Sequence, residues 1–91
     1  MSHVVYILQC KDGTLYTGYT NNLAKRLRLH NEGKGAKYTR GRTPVTLVYV
    51  EEIPSMSSGL KREYEIKHMC RKQKYHLIQS QAALHHFSQK N

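Results

Sequence analysis

Hydrophobic and polar positions change rhythm several times along this chain, and each change marks an element. Val4-Val5-Tyr6-Ile7-Leu8 is β-branched and aromatic with no polar interruption, as in a strand covered on both faces. Lys11-Asp12-Gly13 then supplies the positive φ of a tight hairpin, and Thr14 to Thr20 returns antiparallel to the first strand. Alternation places Tyr16 and Gly18 on one face of that second strand and Leu15, Thr17 and Tyr19 on the other. The bare Gly18 leaves an open patch beside Tyr16.

The period then lengthens. Asn21-Asn22 offers N-cap side chains to a helix from about Leu23 to Asn31, which Gly33 stops. Leu23 and Leu27 define its buried stripe, Arg26 and His30 adjoin that stripe, and Lys25 and Arg28 fall opposite. From Glu32 to Arg42 there is no apolar periodicity, and the glycines and cations there predict a flexible basic loop. Pro44 opens a third strand, Val45 to Glu51, and the three strands form one sheet. After Ile53-Pro54-Ser55, serines 55, 57 and 58 offer N-caps for a helix reaching about Lys72. Met56, Leu60, Tyr64, Ile66 and Cys70 mark its apolar face, with Glu63 near the centre and Glu65 outward. Gly59 inside that helix costs about 1 kcal/mol relative to alanine. Beyond Lys74, Leu77, Ile78, Leu84 and Phe87 predict a last helix. The order is β-β-α-β-α-α, an α+β fold in a single domain over residues 1–91.

Composition narrows the partners. Fifteen Lys and Arg against six Asp and Glu give a net charge of +9, which points to a polyanion, with nucleic acid ahead of a membrane surface. No apolar run approaches the roughly 20 residues that cross a bilayer, and Met1-Ser2-His3 lacks the charged and apolar regions of a signal peptide. A cytoplasmic protein is expected, with Cys10 and Cys70 as buried small apolar residues in a reducing compartment. No obligatory protein partner is evident. Histidines 3, 68, 76, 85 and 86 form no ligand set with recognisable spacing and read as surface residues.

The candidate chemistry lies on the first two strands, the first helix and the long helix. The phenols of Tyr6 and Tyr16, the Arg26 guanidinium and the His30 imidazole are able to converge on one phosphate. Taken singly, Arg26 reads as a surface charge. A carboxylate on an apolar face needs a partner, so Glu63 either pairs with Lys67 one turn later or faces a cleft where a cation waits. In the basic loop, Lys34, Lys37, Arg40 and Arg42 are placed to neutralise phosphates, or form a solvated charge run. Tyr38 among them stacks on an unpaired base, meets the substrate phosphate, or closes the loop onto the core.

Val4-Val5-Tyr6, Tyr16-Thr17-Gly18, Arg26, His30 and Glu63, in this order and on these elements, resemble the GIY-YIG nuclease family. The resemblance covers residues 3–78, with 79–91 as a C-terminal tail, and is strongest to the small free-standing bacterial members. It implies a central three-stranded antiparallel sheet flanked by helices. It also implies hydrolysis of DNA phosphodiesters with one divalent cation, Mg²⁺ or Mn²⁺, held by Glu63. Arg26 would clamp the phosphoryl oxygens, Tyr6 would serve as base for the attacking water, and Tyr16 would position water or phosphate. The two tyrosine roles are interchangeable at this level. His30 would assist proton transfer or bind phosphate, and Gly18 would make room. Such an enzyme serves DNA repair, recombination or the processing of single-stranded or structured DNA. The Tyr38 loop leans toward single strands, and RNA stays open. Many relatives carry an asparagine where this chain has Arg71-Lys72-Gln73-Lys74-Tyr75, so Lys74 or Gln73 takes its structural place. Tyr19 stands where some relatives carry a lysine, with Lys37 or His30 as its substitute. The other reading is a nucleic-acid-binding module that keeps the fold and basic surface but has little independent catalysis.

Overall fold

The computed structural model describes the backbone of residues 3–89 and the side chains of residues 3–81. Three strands, β1 (His3–Gln9), β2 (Leu15–Thr20) and β3 (Thr46–Ile53), make one antiparallel sheet in the order β2-β1-β3. β1 is therefore central, and Val4 to Leu8 are all buried. An unbroken apolar run suits such a strand, because both of its faces are covered. Helix α1 (Leu23–Asn31) covers one face, where Leu23 and Leu27 meet Val4, Tyr6 and Leu8. Helices α2 (Met56–Lys67) and α3 (Arg71–Gln89) cover the other, where Ile66, Met69, Leu77 and Ile78 meet Val5, Ile7 and Tyr49.

Side-chain hydrogen bonds anchor these elements to the sheet. Asn22 caps α1 by accepting from the Lys25 amide at 3.2 Å. At the other end of α1, Asn31 accepts from the Val45 amide at 2.8 Å and fixes the chain's entry into β3. On β3, an edge strand, the Gln81 amide pairs with the outward backbone N–H and C=O of Val50. Arg62 of α2 reaches the Glu51 carboxylate at 3.1 Å, and that carboxylate also accepts from Tyr49 Oη at 2.6 Å.

The structure corrects the sequence reading in three places. The long helix expected to reach Lys72 ends at Lys67, where His68 caps it and donates its amide to the Tyr64 carbonyl, and Met69 turns into the core. The last helix then begins at Arg71, before Lys74. Second, the apolar face assigned to α2 points outward: Met56, Leu60 and Tyr64 are exposed, and so is Cys70, whereas Cys10 is buried as expected. Gly59 and Ile66 face inward instead, with Glu63 mostly covered beside them. Third, the loop after α1 is not irregular throughout, since Lys37–Thr39 forms a 3₁₀ turn with Thr39 fully buried. The expectations for the side chains of Leu84, His85, His86 and Phe87 lie outside the described residues.

Gly59 explains the orientation of α2. A Cβ there would lie 2.6 Å from the Tyr19 ring, so the helix rests directly on that ring. Tyr19 cannot swing away cheaply, because His3 Nδ1 holds its hydroxyl at 2.6 Å and the two rings stack. Close approach through a glycine, with Arg62 committed to Glu51, outweighs burial of the Met56-Leu60-Tyr64 stripe. Gly59→Ala should therefore destabilise the fold by about 1–2 kcal/mol, since overpacking exceeds the gain in helix propensity. Urea unfolding checks this, and a stability gain of about 1 kcal/mol, the propensity difference alone, would contradict it.

Candidate active site

Side chains from all of the first elements meet beside β2. Tyr6 on β1 stands opposite Gly18 on β2, and a Cβ on Gly18 would fall 2.5 Å from Tyr6 Oη. The expected open patch at Gly18 is therefore filled by the Tyr6 phenol. That hydroxyl lies 3.1 Å from His30 Nε2, and His30 Nδ1 lies 2.9 Å from Thr39 Oγ1. All three residues are fully buried. Tyr16 packs on the same cluster, its ring centroid 5.3 Å from that of His30 and 6.4 Å from that of Tyr6. Tyr38 continues the aromatic row, nearly parallel to Tyr16 at 6.1 Å.

Arg26 lies beside both phenols. Its pKa is raised, first by the Tyr6 hydroxyl and against the opposing effect of burial, so it remains a cation. Burial pushes the Tyr6 phenol up to about 12, although Arg26 favours its anion, and the charges on Tyr16 and Glu63 add to the rise. Burial and the Arg26 charge lower the pKa of His30, which is neutral at pH 7.

Glu63 enters from α2. Gly59, Glu63 and Lys67 are spaced by one turn each; Gly59 sits on Tyr19 at one end of β2, and Lys67 Nζ lies 6.0 Å from the Tyr16 ring centroid near the other. Glu63 falls between them, 3.5 Å from Lys67 Nζ, and its charge reaches the Tyr6 phenol. Of the two readings of Glu63, the structure has the pair with Lys67; Lys67 rather than Glu63 reaches the cleft beside Tyr16, and Arg26 lines a separate hollow with Asn22 and Lys25. Leu15, Tyr16, Thr17, Tyr38, Lys67 and Lys74 line that cleft, of about 260 Å³. Thr17 Oγ1 is buried without a hydrogen-bond partner.

The described residues contain no group of three His, Cys, Asp or Glu side chains able to hold a metal ion. Glu63 is the carboxylate whose charge reaches the Tyr6 phenol. That donor set fits a cation such as Mg²⁺, which keeps most of its waters and takes one or two carboxylates together with substrate phosphate oxygens.

The basic loop divides. Arg42 Nε is engaged by Asp12 at 3.0 Å, and its guanidinium covers the Tyr38 ring at 4.4 Å, so it closes the loop onto the β1–β2 turn. Lys34 lies 4.0 Å from Glu32. Lys37 and Arg40 are exposed and enter no ion pair among the described residues. Of the two residues considered as replacements for the family asparagine, Lys74 lines the cleft, whereas Gln73 accepts from the Cys70 amide at the start of α3. Thr39 and Lys67 as members of the site went unnoticed in the sequence. A threonine inside a basic loop carries no signal of burial, and Lys67 figured only as a partner of Glu63.

Known proteins resemble this chain in sequence and in fold. The GIY-YIG catalytic domain matches residues 2–76. UPF0213 protein SH2523 of Staphylococcus haemolyticus is 56% identical over 77 residues, covering 85% of this chain and 94% of that protein. UPF0213 protein CPE1444 of Clostridium perfringens is 58% identical over 78 residues, covering 86% and 84%. The solution structure of UPF0213 protein BH0048 from Bacillus halodurans has 51% sequence identity and a TM-score of 0.56, covering 87% of this chain and 84% of that one. No helix among the described residues is long and apolar enough to cross a membrane. With the signature positions gathered at one edge of the sheet and the family's domain matching most of its length, the chain belongs to the GIY-YIG family.

Proposed function

We propose that this protein is an endonuclease that hydrolyses DNA phosphodiesters with one divalent cation, Mg²⁺ or Mn²⁺. The observation that carries the reading is that Arg26 from one helix and Glu63 and Lys67 from another act on the same pair of phenols, Tyr6 and Tyr16. Cleaving a phosphodiester requires positive charge against the phosphoryl oxygens and the departing oxygen. Arg26 supplies a planar fork for the non-bridging oxygens, and Lys67 and Lys74 add charge along the cleft. A cation on Glu63 would supply the remaining charge and an activated water.

The two phenols differ in access. Tyr16 lines the cleft and is placed to hold the attacking water, whereas Tyr6 is enclosed and, with a pKa of about 12, is ionised in roughly one molecule in 10⁵ at pH 7. Tyr6 therefore serves better as the anchor of Arg26 and His30 than as a free phenolate base. His30, expected to assist proton transfer or bind phosphate, is sealed behind Tyr6 and acts on the cleft through it. Single-stranded or structured DNA is the favoured substrate. Tyr38 is exposed at the end of the aromatic row, with Arg42 over its ring as a cover that an unpaired base would displace, and Lys37 and Arg40 stand clear for the backbone. One observation favours a binding module instead: Glu63 is already neutralised by Lys67.

Cleavage separates the two. Glu63→Gln should lower the rate of Mg²⁺-dependent nicking by about 100-fold or more, with DNA affinity by fluorescence anisotropy nearly unchanged. Equal cutting by both proteins would leave only the binding module. A side-by-side digestion of single-stranded, duplex, flap and RNA substrates should rank unpaired DNA first, and a preference for duplex would remove the stacking role of Tyr38.

The pH profile follows from His30. Its pKa lies below the ordinary 6.5, so at pH 7 it is neutral and able to accept from Tyr6. Protonation would turn Nε2 into a donor and add a cation beside Arg26. Activity should hold as pH falls to about 6.5 and decline only below it. Stability has the same sign: the unfolded chain binds the proton more readily, so stability is lost as pH falls from about 6.5 through the folded value. A rate profile whose acid midpoint lies above 6.5 would exclude a neutral His30 as the requirement.

A further inference from the structure

The segment between α1 and β3 reaches the centre of the molecule through one hydroxyl. Thr39 Oγ1 donates to the Ala36 carbonyl at 2.9 Å and meets His30 Nδ1 at 2.9 Å. A hydroxyl has one hydrogen, and a carbonyl has none to give. With that hydrogen committed to Ala36, Oγ1 presents only lone pairs to His30, so Nδ1 carries the ring hydrogen. In a neutral imidazole Nε2 is then bare and accepts from Tyr6 Oη at 3.1 Å. Every bond in the chain runs one way, from Tyr6 through His30 and Thr39 to the backbone. The lone pairs of the Tyr6 oxygen are thereby left toward Arg26, a group that can only donate. The opposite tautomer would aim Nε2–H at Tyr6 and turn the phenol's hydrogen toward the guanidinium.

We infer that Thr39 is a positioning residue: its hydroxyl fixes the tautomer of His30, and through it the direction of the Tyr6 hydroxyl against which Arg26 is held. His30 is neutral, as this requires, because burial and Arg26 both lower its pKa. Gly35 holds the ring from the same loop, since any Cβ there would strike His30 Nδ1. The loop that displays Lys37 and Arg40 to solvent therefore also sets the polarity of the buried chain. The effect on rate rests on the nuclease reading above, whereas the effect on the tautomer does not.

Long-range ¹H–¹⁵N correlation spectra of histidine-labelled protein, with His30 assigned through His30→Gln, report the tautomer directly. Wild type and Thr39→Ser should both carry the hydrogen on Nδ1, and Thr39→Val should move it wholly or partly to Nε2. Cleavage by Thr39→Val should show kcat lowered by about tenfold or more with KM nearly unchanged, and Thr39→Ser should restore most of it. His30 protonated at Nε2 in wild type, or a Thr39→Val protein with the wild-type tautomer and rate, overturns the inference. Should Thr39→Val not fold, wild type and Thr39→Ser still decide, because Nε2 protonation in either is fatal. A wild type that cuts no DNA with any divalent cation defeats the nuclease reading, and the spectra then judge Thr39 alone.

Discussion

The hydrogen bond between Tyr6 Oη and His30 Nε2 joins the central strand to the first helix inside the core. Both groups are polar and fully buried, so neither can fall back on water when the other is removed. Around that bond the rest of the site is placed. Gly18 is bare because the phenol occupies its side-chain space, Tyr16 packs against the imidazole, and Arg26 lies one turn before His30 against the same phenol. A domain of this size has a small core. Spending its centre on a phenol and an imidazole makes sense only where their orientation matters more than the apolar burial they displace.

Elements whose outline depends on local pattern were legible in the sequence. β1 reads as an unbroken apolar run, the hairpin as Asp12-Gly13, and α1 as Asn22 followed by Leu23 and Leu27; the structure has each of them. The convergence of Tyr6, Tyr16, Arg26 and His30 followed from alternation on β2 and the spacing on α1. What escaped depends on contacts distant in sequence. Periodicity selected Met56, Leu60 and Tyr64 as the buried face of α2, yet Gly59 on Tyr19 and Arg62 on Glu51 turn that helix the other way. The break after Lys67 carries no proline or glycine, and it becomes intelligible only once Met69 is seen entering the core.

The basic loop combines exposed cations with anchored side chains that its composition does not reveal. Glycines and cations predict a solvated, flexible segment, and Lys37 and Arg40 are indeed exposed. Between them, however, Thr39 is buried against His30, and Arg42 is pinned between Asp12 and Tyr38. One buried hydroxyl and one surface guanidinium thus tie down a segment that exposes most of its other side chains. On the nuclease reading, charges on such a segment would meet a ligand from anchored positions, which would lower the ordering entropy that a freely moving basic tail loses on binding.

Charge balance in the cleft gives the arrangement a direction. Among the described cations near it, Lys67 has a carboxylate already, at 3.5 Å from Glu63, and that carboxylate is mostly covered. Such an i, i+4 pair is worth a few tenths of a kcal/mol, far less than a phosphate or a divalent cation gains from either member. On the nuclease reading, an incoming phosphate would attract Lys67 and a cation would attract Glu63, so each ligand would release the partner that the other needs. The pair thus keeps a mostly covered carboxylate neutralised without committing either charge. In a chain of net charge +9, a lone unpaired carboxylate would draw other cations and close the site, whereas a weak local partner leaves it available.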